Sequence, residues 1–399
     1  MIFNRLGLAT RSLAVVALVS FATSSSRAVI LLGTGDPEVN TTAPAGALAG
    51  SGWQYQGAFG VFLGTAIAPR YFLTAKHVWG DSFIYNGTTH TLQQRFADPY
   101  SDLSIWQVPG TLAPTAPLYS GLDETGRPLV VFGRGHQRGG AVFKNGQLRG
   151  WTWGGGDARQ RWGENVVSSI VNGGVQNQFV YATFDSAGSP NEAHLAAGDS
   201  GGAVFINEGG VWKVAGISYA VDGPFFTDAA GNGGFDGAIF DARDFYYRES
   251  DNPPIYSLIT GPGPVPSGFY ASRVSTKRAW IYSVIDPAGD IDGNGVSNLL
   301  DYARSLNEPE PAGPGAPTVA KEGSSLAITY RQLNRAGALT YTIEKSTNLK
   351  TWEAVPQTPT FLGSAEDVDT LKVQVPITGN KMFLRVRIGL ASGARPAAR

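Results

Sequence analysis

The 399-residue chain contains no cysteine. That excludes disulfide staples and thiolate chemistry, so stability must come from the size of the core or from a bound metal. Charge of one sign is also missing. The 31 basic side chains nearly balance the 32 acidic ones, for a net charge of -1. No broad basic face is therefore expected for nucleic acid or an anionic membrane. Only four histidines occur, His77, His90, His136 and His194, so histidine chemistry has few places to be. No segment beyond the first two dozen residues is long and apolar enough to form a transmembrane helix.

What is present starts with an export signal. Arg5 and Arg11 precede the apolar run 13–22, and no acidic residue occurs before Asp36. The run is too short to cross a bilayer, so residues 1–28 read as a secretory signal, cut after Ala22 or after Ala28. An N-terminal anchor is the alternative. Short alternating runs rich in glycine, threonine, valine and aromatics predict a mainly β protein. Residues 29–285 form the first unit, 286–307 a separate element, 308–317 a Pro/Gly-rich linker, and 318–399 a small β-sandwich with period-two runs such as 326–330 and 371–375. Asn86-Gly87 between two strand patterns predicts a hairpin. Residues 150–163 read as a Trp- and Gly-rich loop.

The stretch Gly198-Asp199-Ser200-Gly201-Gly202 can be checked against two upstream sites. A serine hydroxyl is inert at neutral pH unless a base takes its proton, and the base needs an orienting acid. Thr74-Ala75-Lys76-His77-Val78 follows an apolar strand pattern and offers the base. Ser101-Asp102-Leu103-Ser104-Ile105-Trp106 opens another strand and offers the acid. Asp98 is a rival to Asp102, but it precedes a proline in a turn-like stretch. In their order His, Asp, Ser these motifs resemble the trypsin-like (chymotrypsin-fold) serine peptidases, in a secreted bacterial form. Val214-Ala215-Gly216-Ile217-Ser218-Tyr219 and Gly268-Phe269-Tyr270-Ala271-Ser272-Arg273-Val274 resemble two further strands of that family. Ser275 is expected to cap a closing helix with Trp280, Ile281, Val284 and Ile285 on one stripe.

The resemblance implies two six-stranded antiparallel β-barrels with a C-terminal helix. It implies catalytic roles for His77, Asp102 and Ser200, an oxyanion hole from the N–H groups of Gly198 and Ser200, and no cofactor for catalysis. It implies a pocket floored by His194 and walled by Ser218, Tyr219 and Ala220. With no aspartate at position 194, a preference for basic side chains is not expected. A cut after Ala28 would expose Val29-Ile30, whose new ammonium would pair with Asp199. The expected function is secreted or periplasmic endopeptidase action on protein or peptide substrates, without stable membrane insertion. The alternative is a catalytically silent binding or attachment protein that contacts a cell surface or matrix through its C-terminal domain.

Residues 290–301 follow a different chemistry. Asp290, Asp292, Asn294, Asn298 and Asp301 occupy loop positions 1, 3, 5, 9 and 12, with a glycine at 6 and the Val296 carbonyl at 7. That spacing resembles an EF-hand or dockerin-type loop and predicts a structural calcium ion.

Overall fold

A computed structural model describes residues 29–174, 177–304, 316–333, 339–365 and 368–390. Residues 1–28, read above as an export signal, most of the expected linker and the last nine residues lie outside the described residues.

The fold is mainly β. The first unit is built from two curled antiparallel sheets of seven strands each, one strand more apiece than the sequence suggests. In the first sheet Gln56–Phe59, Phe62–Ala68, Tyr71–Ala75 and Leu103–Gln107 run side by side. The expected hairpin is Ser82–Tyr85 and Thr88–Thr91. Asn86 and Gly87 turn it with φ of 47° and 76°, as a two-residue turn between right-twisted strands demands. Alternate residues fill the interior: Phe72 and Phe83 stack at 3.9 Å, and Phe59 packs edge-on against Phe72.

The second sheet centres on Pro128–Gly133, Ala203–Glu208, Val211–Val221 and Gly268–Arg273. Residues 150–156 are not loop. They belong to the strand Gln147–Gly156, paired with His136–Lys144 and Gly237–Ile239. Gly150 and Gly154 let the backbone approach a neighbour, while Trp151 is buried against Phe184 and Phe240. The long connection 222–266 carries its own small sheet, Phe225–Phe226, Tyr246–Asp251 and Pro254–Leu258.

The helix α1, Arg278–Ile285, closes this unit. Trp280, Ile281 and Val284 are fully buried on the expected stripe. Ser275 does not cap it. Its hydroxyl donates to the Glu124 carboxylate at 2.7 Å, in a buried cluster with Arg273. Lys277, just before α1, forms a buried ion pair with Asp98 at 3.1 Å. A second helix α2, Asn298–Arg304, leads to the C-terminal sandwich of a four- and a three-stranded sheet. Tyr302 and Ala303 are buried, and the Tyr341 hydroxyl donates to the Ala303 carbonyl at 3.2 Å. Leu333, Leu339 and Val368 join the same apolar core as Trp280, so the sandwich is docked on the first unit.

Trp280→Ala would leave a large hole where helix, first sheet and α2 meet. It is expected to cost about 3–5 kcal/mol of stability in chemical denaturation.

Candidate active site

His77 follows the strand Tyr71–Ala75, and Asp102 precedes Leu103–Gln107, its hydrogen-bonded neighbour. Pairing these strands brings the two side chains together at one end of the sheet. The Lys76 amide donates to the Asp102 carbonyl at 2.7 Å, and the His77 amide to Asp102 Oδ1 at 3.1 Å. His77 Nδ1 lies 2.6 Å from Asp102 Oδ2, and its Nε2 lies 2.8 Å from Ser200 Oγ. A carboxylate can only accept at Nδ1, so the proton there leaves Nε2 able to accept from the hydroxyl. Asp98 takes no part. It is buried, bound to Lys277 and Ser101, and its role is to anchor the turn that presents Asp102.

Arg95 was not singled out in the sequence. It donates to Ser104 Oγ at 2.8 Å and to the Lys76 carbonyl, and its guanidinium stacks 4.0 Å over Trp79. It thus braces the backbone on both sides of His77. An arginine in a strand of otherwise alternating pattern is an ambiguous signal, because it equally suits a solvated face.

Ser200 lies on the turn before Ala203–Glu208. Gly198 takes φ of +91°, and a Cβ there would stand 2.8 Å from the Gly135 backbone, so only glycine fits. The turn's internal bonds come from the amides of Asp199, Gly201 and Gly202, which donate to Ala196, Ser218 and Asp199. Among the described residues the amides of Gly198 and Ser200 donate to no protein acceptor. Two backbone donors on either side of Asp199 are thus unspent.

Asp199 points inward and is buried. Its carboxylate accepts from the Gly135 amide at 2.7 Å and the Ala196 amide at 2.8 Å, with the Val29 nitrogen 3.4 Å from both oxygens. Burial pushes its carboxyl up to about 7, against the pull of those three amides. Val29 is held there because Ile30–Leu31 pairs with Ala193–His194.

That pairing corrects the pocket floor. His194 is fully buried, its Nδ1–H donating to the Leu195 carbonyl at 2.6 Å and its Nε2 accepting from Ser267 at 3.2 Å. Burial holds the imidazole down at about 4. A neutral, satisfied ring under a strand offers nothing to a substrate. Ser218 is also buried. Tyr219 and Ala220 are partly exposed, and the Tyr219 ring stands edge-on to His77 at 5.9 Å. Among the described residues, beyond Ile217 the strand Val211–Val221 pairs only with Gly268–Arg273, so the other edge of 219–221 carries no paired strand.

In the loop after α1, Asp290 accepts from the Gly295 amide at 2.8 Å and the Asn294 amide at 3.1 Å. The Asn294 side chain bridges Asp292 at 3.0 Å and Asp301 at 3.3 Å. These oxygens suit a hard cation. Asn298 departs from the expected set: its amide is buried, accepting from Ile291 and donating to the Asp286 carbonyl. It closes the loop instead of facing its centre. Among the described residues no three acidic or histidine side chains already stand as a metal-holding group.

No protein-family model matches the chain, and no curated protein matches it. Solved structures do. Neuropsin, a serine protease expressed in the limbic system of mouse brain, is 14% identical with a TM-score of 0.35, covering 59% of this chain and 96% of its own. Kallikrein-related peptidase 10 is 12% identical with a TM-score of 0.34, covering 61% and 99%. At that level the likeness carries nothing about chemistry, which rests on the distances above.

The Asp199 carboxyl binds its proton more tightly in the folded chain (about 7) than an unfolded aspartate does (about 3.9). Folding therefore takes up protons between those values, and stability should fall as pH rises from about 4 to about 7 while Val29 remains an internal amide. Melting curves across that window check this, and Asp199→Asn should flatten the slope.

Proposed function

We propose that the protein is a serine endopeptidase. The observation that carries this reading is the continuous line of hydrogen bonds Asp102–His77–Ser200, at 2.6 Å and 2.8 Å. Ser200 Oγ attacks a peptide carbonyl while His77 Nε2 takes its proton. The Gly198 and Ser200 amides receive the resulting oxyanion. Collapse expels the amine, which takes the proton from His77, and leaves an acyl-enzyme that water hydrolyses by the same route. Asp102 holds the imidazole tautomer and offsets its transient charge. An extended substrate would add as a strand along 219–221.

Export is proposed from the N-terminal pattern, and it bears on Asp199. If the leader is cut after Ala28, Val29 gains an ammonium group beside the Asp199 carboxylate. An ion pair in that setting would keep the carboxyl ionised and the Gly198 turn in shape. On this reading removal of the leader is itself the activating step. Calcium is proposed as a structural ion held by Asp290, Asp292, Asn294, Asp301 and the Val296 carbonyl. Its bound charge would offset three carboxylates at the point where the sandwich joins.

Covalent labelling by a fluorophosphonate tests the nucleophile: wild type should react, and Ser200→Ala should neither react nor cleave a protein substrate. Asp102→Asn should lose about four orders of magnitude in kcat, because the wrong tautomer forms. A wild type that resists the probe would leave a binding protein. For the ion, calcium at about a hundredfold excess over its Kd should add about 2.7 kcal/mol of stability after thorough chelation. Asp290→Ala combined with Asp292→Ala should abolish that gain without changing turnover of a small peptide.

A further inference from the structure

Lys76 stands between the strand Tyr71–Ala75 and His77, and the proposed mechanism gives its side chain no part. All three of its polar groups are engaged in one corner. Its amide donates to the Asp102 carbonyl at 2.7 Å, its carbonyl accepts from Arg95, and its ammonium donates to the Asp98 carbonyl at 2.8 Å. A lysine ordinarily holds its head out in water. This one is partly buried and folded back beneath the proposed triad. Burial pulls the pKa of the ammonium below the ordinary lysine value, against the opposing pull of the Asp98 and Asp102 carboxylates.

The segment it grips is the turn that carries Asp102. Gln94–Ala97 pairs with Leu103–Gln107, Ala97 opposite Ser104, and residues 98–102 connect the two strands. The Asp98 amide donates to the Leu103 carbonyl at 2.9 Å and closes the turn. Residues 76 and 77 then hold it at both ends. At the far end the Asp102 carbonyl and Oδ1 accept from the Lys76 and His77 amides; at the near end the Asp98 carbonyl accepts from the Lys76 ammonium. The Asp98 carboxylate is held separately, by Lys277 at 3.1 Å. The turn thus lies between two lysines, one beside His77 and one at the start of α1. Without the first, the turn stays folded on Lys277 but follows α1 in place of the strand end that carries His77. The 2.6 Å contact between His77 Nδ1 and Asp102 Oδ2 is the one such a shift would lengthen, and hydrogen bonds weaken steeply with distance and misalignment.

We propose that Lys76 is a positioning residue for the His77–Asp102 pair: its ammonium tethers the Asp98 end of the turn to the strand end that carries His77, and so fixes the carboxylate against the imidazole. This rests on the serine peptidase reading. A lysine that only stabilised the fold would make the same hydrogen bond, but its loss would lower the melting temperature and leave the chemistry of the surviving folded molecules intact. The test therefore reads turnover apart from stability.

The experiment uses the full chain freed of its leader. It compares wild type with Lys76→Met, which keeps the apolar stem and loses the ammonium, and with Lys76→Arg, which keeps a charged donor. Turnover of a small peptide is measured well below each melting temperature, alongside the proton NMR signal of the hydrogen on His77 Nδ1, which a carboxylate partner draws downfield. Lys76→Met should lower kcat about ten- to a hundredfold, the scale of a slightly misplaced catalytic group. Its KM should stay within about twofold of wild type, because the tether binds the turn and not the substrate. The downfield signal should move upfield or broaden away. Lys76→Arg should restore kcat to within about threefold of wild type, since a guanidinium also donates a charge-assisted bond to a carbonyl. A folded Lys76→Met with wild-type kcat and an unmoved signal overturns the proposal. So does a loss carried by KM alone, or a Lys76→Arg as slow as Lys76→Met. If Lys76→Met does not fold, Lys76→Gln is read in the same way, because its shorter polar side chain suits a half-exposed position but stops short of the carbonyl. A wild type that neither labels with a fluorophosphonate nor turns over peptide removes the peptidase reading and the tether with it, whereas an active wild type indifferent to loss of the ammonium removes the tether alone.

Discussion

A single buried carboxylate, that of Asp199, ties together the parts on which the site depends. A lone charge in an apolar interior is costly, and it persists only where several donors converge on it. Here the donors are backbone amides of the neighbouring Ala196 and of two distant residues, Val29 and Gly135. Meeting them fixes the left-handed turn at Gly198, points the neighbouring side chain of Ser200 outward, and pins the start of the described chain under the strand that holds His194. The residue adjacent to Ser200 is thus the keystone of its loop.

The contact between Asp102 and His77 rests on a second arrangement, made by pairing two strands of the first sheet. Asp102 reaches His77 because Leu103–Gln107 lies beside Tyr71–Ala75. Around them Asp98 accepts Lys277 from the start of α1, and Arg95 grips the Lys76 carbonyl while stacking on Trp79. The helix that closes the unit therefore also anchors the turn before Asp102. Beyond it, α2 and the sandwich share an apolar core with Trp280, so the C-terminal region is packed against the first unit and not merely strung behind it.

Much of this was legible in the residues. Ser200, His77 and Asp102 each stand in a local motif, and glycines mark the turn because only glycine takes φ of +91° against another backbone. Asn86-Gly87 and the stripe 280–284 follow from local rules in the same way. Other features depend on partners far away in the chain. The Trp- and Gly-rich segment 150–156 is a strand paired with His136–Lys144 and, over residues 150–152, with the distant Gly237–Ile239. Ser275 turned from helix cap to partner of Glu124, 151 residues away. Asn298 turned from expected ligand to loop clasp.

The sequence by itself determined the mainly β class, the strand and turn signals, and the order His77, Asp102, Ser200, since these depend on side-chain period and on a few residues with unusual backbone demands. Only the tertiary structure decided which side chains are spent and which are free. His194 and Asp222 show why. Neither local pattern says whether a polar group meets a partner, yet packing closed His194 between Leu195 and Ser267 and placed Asp222 against the hydroxyls of two tyrosines. Burial and hydrogen-bond satisfaction are properties of contacts between remote segments, and a linear pattern carries no record of them.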